Sequence, residues 1–142
     1  MSQAVLGKRL FQVIGLAGSL RKESYNRQLM LAAQHMAPKE VCLHIAELRE
    51  IPLYDGDIEL EGISAAVVTL KAHVREADAL LIATPEYNGF MPGVLHNVLD
   101  WLSRPRATTP LAKKRIFLMG ATPGQRGTRS AQEHLRQLLS NI

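Results

Sequence analysis

Short apolar runs alternate with helical patterns along the whole chain. Leu10-Phe11-Gln12-Val13-Ile14-Gly15 is apolar and β-prone, and a polar loop from Gly18 to Ser24 follows it. Leu29, Met30, Ala33, Met36 and Ala37 recur at helical spacing until Pro38 stops them. Val41-Cys42-Leu43-His44-Ile45 alternates with period two and predicts a strand. Residues 46–62 carry Pro52, Gly56, Gly62 and four acids between 55 and 61, which predicts an irregular excursion. Ile63, Ala66, Val67, Leu70 and Val74 mark one face of a helix. The run from Asp78 to Thr84 suits a central strand covered on both faces. Pro92 suits the start of a helix carrying Val94, Leu95, Val98, Leu99 and Leu102. A strand over 115–120 and a helix marked by Ala131, Leu135, Leu138 and Leu139 complete the pattern.

The order βαβαβαβα implies a parallel sheet with helices on both faces, a three-layer αβα sandwich. Right-handed crossovers restrict it to a few doubly wound topologies. Ligands of such sheets bind beyond the carboxyl ends of the strands, where the strand order reverses. The loops that follow strands are therefore where chemistry is expected.

Composition narrows the class. With 142 residues, 46% apolar and 21% charged, the chain suits one folded domain spanning 1–142. Cys42 is the single cysteine, so neither an internal disulfide nor a cysteine zinc site is possible. The histidines at 35, 44, 73, 96 and 134 are scattered, and no metal site is expected. Met1 to Lys8 has no leader-like apolar core, and no run approaches the ~20 apolar residues of a membrane span. A cytoplasmic protein with no membrane partner is expected. The net charge of +4 attracts anions, but no aromatics interleave with Lys113-Lys114-Arg115, so no nucleic-acid partner is expected.

Three loops carry candidate chemistry. The first holds Gly18, Ser19, Arg21, Ser24 and Asn26 and opens a helix, whose free N–H groups and dipole favour an anion. It lacks the Gly-x-Gly-x-x-Gly of dinucleotide folds and the Gly-Lys-Ser/Thr of P-loops, so a terminal phosphomonoester fits better than either. The second, Thr84-Pro85-Glu86-Tyr87-Asn88-Gly89-Phe90-Met91-Pro92-Gly93, fixes an unusual backbone and sets two aromatics where a flat ring could lie. Trp101, spaced with Val94 and Val98, belongs to the core. The third, Ala121 to Thr128, has glycines that let backbone amides approach a ligand. Ser19 lacks the Gly-x-Ser-x-Gly setting of a hydrolase nucleophile, and Ala83-Thr84 lacks the aspartate of a phosphoacceptor domain.

Gly18-Ser19-Leu20-Arg21 with Ser24 and Asn26, then Thr84 to Asn88, then Pro92-Gly93 with Leu95, Asn97, Asp100, Trp101, Ser103, Arg104 and Pro105, resemble the NADPH-dependent FMN reductase family. That family includes bacterial quinone and chromate reductases. The resemblance implies a flavodoxin-like sheet of order 2-1-3-4-5 with FMN at the switch point. It implies that Ser19, Arg21, Ser24 and Asn26 hold the FMN phosphate. Pro85, Glu86, Tyr87 and Asn88 would border the ribityl chain and ring, largely through backbone groups, and Thr122 and Gly124 would lie near the ring's far side.

The implied activity is ping-pong hydride transfer from NADPH or NADH to a quinone, chromate or similar small acceptor, with no catalytic side chain. The implied assembly is a homodimer or homotetramer. A noncatalytic FMN-binding protein or a flavodoxin-type electron carrier is the alternative. The chain departs from the family at His96, where lysine is common, and in the third loop. It also stops at Ile142, before the family's fifth strand and following helix, so C-terminal truncation and an exposed edge at 116–120 are expected.

Overall fold

The computed structural model describes residues 9–142, so the expectation for Met1 to Lys8 lies outside the described residues. Four strands, β1 (Phe11–Ala17), β2 (Val41–Ile45), β3 (Ala79–Ala83) and β4 (Arg115–Met119), form one parallel sheet in the order β2-β1-β3-β4. The register sets Val13 beside Ala79 and Leu43, and Ala83 beside Met119 and Ala17. The order reverses between β1 and β3, so the loops after these two strands diverge and leave a crevice.

Five helices connect the strands: α1 (Tyr25–His35), α2 (Gly56–Glu61), α3 (Ala65–Glu76), α4 (Gly93–Leu102) and α5 (Arg129–Ser140). Strand alternation splits the core in two. Ile14, Leu16, Leu80 and Ile82 point to the face covered by Leu70 and Val74 of α3, Leu95, Val98 and Leu99 of α4, and Leu135 of α5. Val13, Leu81, Ala83 and Met119 belong to the other face, packed around Met30 of α1. The expected αβα layering is therefore present, with α1 alone on the second face among the described residues. There β4 is an edge strand, and its Phe117 is 57% exposed.

The excursion at 46–62 is more ordered than its composition predicts. Asp55 caps α2 by accepting from Asp57 N at 2.9 Å, so Asp55, Asp57 and Glu59 sit at a helix N-terminus, where the dipole favours them. The carbonyl of Pro52 accepts from Asn97 Nδ2 and Trp101 Nε1, both at 2.8 Å, and Tyr54 N donates to Asn97 Oδ1 at 2.7 Å. These bonds fasten the excursion to α4. The Tyr54 hydroxyl donates to Glu59, which holds the phenol pKa above its ordinary value. Among the described residues no helix is long and apolar enough to cross a membrane.

Candidate functional site

The three loops that follow β1, β3 and β4 meet at the carboxyl edge of the sheet. They enclose a cavity of about 160 Å³. Of the residues singled out in the sequence, Ser19, Arg21, Ser24, Asn26, Pro85, Glu86, Tyr87 and Thr122 line it. Asn88 and Gly124 do not. Tyr25, Ala121 and Pro123 join the wall without having been singled out. Tyr25 could have been found, because it opens the helix whose N-terminus faces the cavity.

The first loop is built to present donors. Ser24 is buried and caps α1, its hydroxyl accepting from Arg27 N at 3.3 Å. With that N–H satisfied, those of Tyr25 and Asn26 are the first-turn groups left to an incoming anion. The Ser19 hydroxyl lies 3.4 Å from both the Arg21 N–H and the Tyr87 hydroxyl. Arg21 donates to the Glu23 carbonyl at 3.0 Å and stands 5.9 Å from the Tyr25 ring centre. One guanidinium nitrogen is thereby fixed and the rest stay free to bind.

The second loop is a tight hairpin. Asn88 and Gly89 both have positive φ, 53° and 75°, and Tyr87 and Phe90 exchange both backbone hydrogen bonds, at 2.9 and 3.0 Å. Positive φ at both central residues is what an Asn-Gly pair supplies in a two-residue turn. The Asn88-Gly89 dipeptide is thus a hairpin signal legible in the sequence itself. The turn leaves Tyr87 about half exposed beside the cavity and sends Asn88 to the tip, away from the wall.

Side chains then tie the loops together. Asn26 is buried and spans 95 positions of sequence: its Nδ2 donates to the Ala121 carbonyl and its Oδ1 accepts from Ala121 N, both at 2.9 Å. Its amide therefore holds the third loop against α1, and only one amide hydrogen remains for a ligand. Glu86 Oε2 accepts from Ala131 N at 3.1 Å, within the first turn of α5, whose N-cap residue Thr128 makes no capping bond with its own side chain. The carboxylate is thus held by a helix N-terminus. Thr122 folds its hydroxyl back onto Gly124 N at 3.2 Å and shapes its own loop.

Asn26→Ala removes both bonds to Ala121. It is expected to cost about 2 kcal/mol of stability, read from the urea midpoint at unchanged slope. A midpoint equal to the parent's would show that the third loop is held by other contacts.

A sequence profile of the family described as NADPH-dependent FMN reductase matches residues 11–142. The chain belongs to that family. Among FMN reductase relatives, a NAD(P)H-dependent FMN reductase of Pseudomonas aeruginosa is 44% identical over 128 residues, which cover 90% of this chain and 69% of the relative. A quinone reductase of Escherichia coli K12 is 41% identical over 130 residues, covering 90% and 69%. The solved structure of a flavoenzyme NAD(P)H:(acceptor) oxidoreductase of Paracoccus denitrificans superposes with a TM-score of 0.87 at 32% identity, covering 93% of this chain and 72% of that one. The flavodoxin-like sheet expected of an FMN reductase is the one observed.

Proposed function

We propose that the cavity binds FMN and that the chain transfers electrons from NADPH or NADH to a quinone or similar small acceptor. The observation that carries this reading is the convergence of three sequence-distant loops on one cavity whose wall combines anion donors with apolar surface. Ser19, Arg21, Ser24 and the start of α1 offer hydroxyls, a guanidinium and free N–H groups, a set suited to a phosphate monoester. Pro85 and the half-exposed Tyr87 offer apolar surface for a flat ring. Glu86, the one carboxylate in the wall, is engaged by α5. The donor set fits FMN.

The chemistry that FMN supplies when bound is reversible two-electron transfer. The protein's part is to bind and orient. Arg21 and the free N–H groups of Tyr25 and Asn26 would hold the phosphate end. The hairpin, held by Glu86 and the Tyr87–Ser19 contact, would border the ring end. No side chain in the wall has to act as nucleophile or proton donor. A single cavity serving both substrates in turn would give ping-pong kinetics, and chromate is a further acceptor to test.

A homodimer or homotetramer and a cytoplasmic setting belong to the same proposal. The single cysteine of the chain, Cys42, suits a reducing setting. The test is anaerobic addition of NADPH to purified protein reconstituted with FMN. Bleaching near the flavin absorbance maximum and reoxidation by benzoquinone are expected, with parallel lines in double-reciprocal plots. Bound flavin that NAD(P)H does not bleach would refute the enzymatic reading. Arg21→Ala is expected to weaken FMN binding by about 1–3 kcal/mol in titration calorimetry. Unchanged affinity would remove Arg21 from the phosphate site.

A further inference from the structure

A second cavity, of about 370 Å³, lies on the opposite side of the first loop, between it and the loop that follows β2. The two cavities share only Ser19 and Arg21 in their walls. This second one is strongly basic. Arg21, Lys22, Arg27 and Arg49 line it, against a single carboxylate, Glu47. Glu47 Oε1 is turned onto its own chain, accepting from Arg49 N at 3.0 Å. Glu23, the other acid nearby, does not line the cavity. None of the four cations is ion-paired among the described residues.

The cleft gathers positive charge with little to offset it. The N-terminal pole of α1 carries roughly half a positive charge, which acids normally offset. The first turn of α1 holds no acid and carries Arg27 instead. By contrast, α2 places Asp57 and Glu59 in its first turn. Arg27 and Lys22 make no side-chain hydrogen bond among the described residues, so their donors are free. Arg49 is held by the Leu20 carbonyl at 2.5 Å, which aims its guanidinium at the cleft wall and leaves further N–H groups unused. An incoming dianion offsets this positive charge and gains charge-assisted bonds to the held guanidinium of Arg49 and to the unengaged donors of Lys22 and Arg27.

We infer that this cleft, through Lys22, Arg27 and Arg49, receives a second phosphate monoester, the 2′-phosphate of NADPH, and so sets a preference for NADPH over NADH. The inference rests on the FMN reading above. The flavin phosphate takes the Ser24 side of the loop, and the nicotinamide co-substrate is the partner of the same reaction that carries another phosphate monoester. NADH has a hydroxyl at that position and gains nothing from the three cations. Inorganic phosphate shares the chemistry without the nucleoside.

The experiment is steady-state kinetics of the FMN-loaded enzyme with benzoquinone, varying NADPH or NADH. Arg27→Gln, combined with Lys22→Gln, is expected to raise KM for NADPH about tenfold or more while KM for NADH and kcat stay within twofold. Arg27→Lys should restore most of the NADPH KM. In the parent, 2′,5′-ADP should compete with NADPH at least tenfold better than 5′-AMP, and the double variant should lose that difference. Equal KM changes for both nicotinamides, or none for either, would overturn the inference. Inhibition by inorganic phosphate as strong as that by 2′,5′-ADP would overturn the occupant and leave a free-anion site. Both failures are read on protein with its flavin content intact. Protein that takes up no FMN would refute the cofactor reading instead, and the two are told apart by absorbance.

Discussion

Gly120→Ala is expected to destabilise the protein by about 3 kcal/mol, the upper end of the ordinary range for overpacking, and to empty the cofactor cavity with it. Gly120 follows β4 directly and opens the third loop. A Cβ there would lie 2.0 Å from Thr128 Oγ1, 2.6 Å from the Thr84 carbonyl oxygen and 2.9 Å from Thr128 Cβ. The threonine side chain can turn, but the Thr84 carbonyl cannot, because it belongs to the chain leaving β3. That segment is buried and bonded to β4 through Thr84 N to Met119 O at 3.0 Å. The added methyl therefore separates the second loop from the third. Urea denaturation of the variant checks the cost, and Thr128→Ala in the same chain should recover only part of it. A variant within about 0.5 kcal/mol of the parent would show that β3 and β4 yield more easily than packed strands do.

Trp101→Ala should cost about 3–5 kcal/mol, enough to unfold much of the population of a marginally stable domain. The indole is fully buried and packs edge-on against Tyr54 at 5.0 Å between ring centres. Its N–H reaches the Pro52 carbonyl. Truncation thus opens a cavity and frees the excursion that carries α2. Trp101→Phe separates the two effects: the ring stays, the bond goes, and about 1 kcal/mol is expected. Because Trp101 is the only tryptophan, circular dichroism rather than fluorescence has to follow both variants. Similar losses for Phe and Ala would place the contribution of this residue in the hydrogen bond and not in the packing.

The strands were legible because burial on both faces writes itself as continuous apolar sequence. The 41–45 segment is found as expected, and the run at 78–84 contains β3. Helix α2 was not legible. It has six residues and no buried one, so no amphipathic stripe marks it, and Gly56 at its start signals a loop. The site was legible as three loops but not as a set of bonds. Nothing local to Asn26 says that its amide is engaged by a residue 95 positions away, and nothing local to Glu86 says that it caps a helix. The basic cleft was equally hidden. Arg49 is one charge among many in the sequence and meets Lys22 and Arg27 only because β2 lies beside β1.

The bridge from Asn26 to Ala121 also bears on assembly of the chain. The pair can meet only when β1 and β4 lie on either side of β3. A molecule able to hold its yellow pigment is then one that has completed its sheet, and added pigment should raise the melting temperature in proportion to the logarithm of its concentration. Colour retained on a column would serve as a direct gauge of the correctly folded fraction.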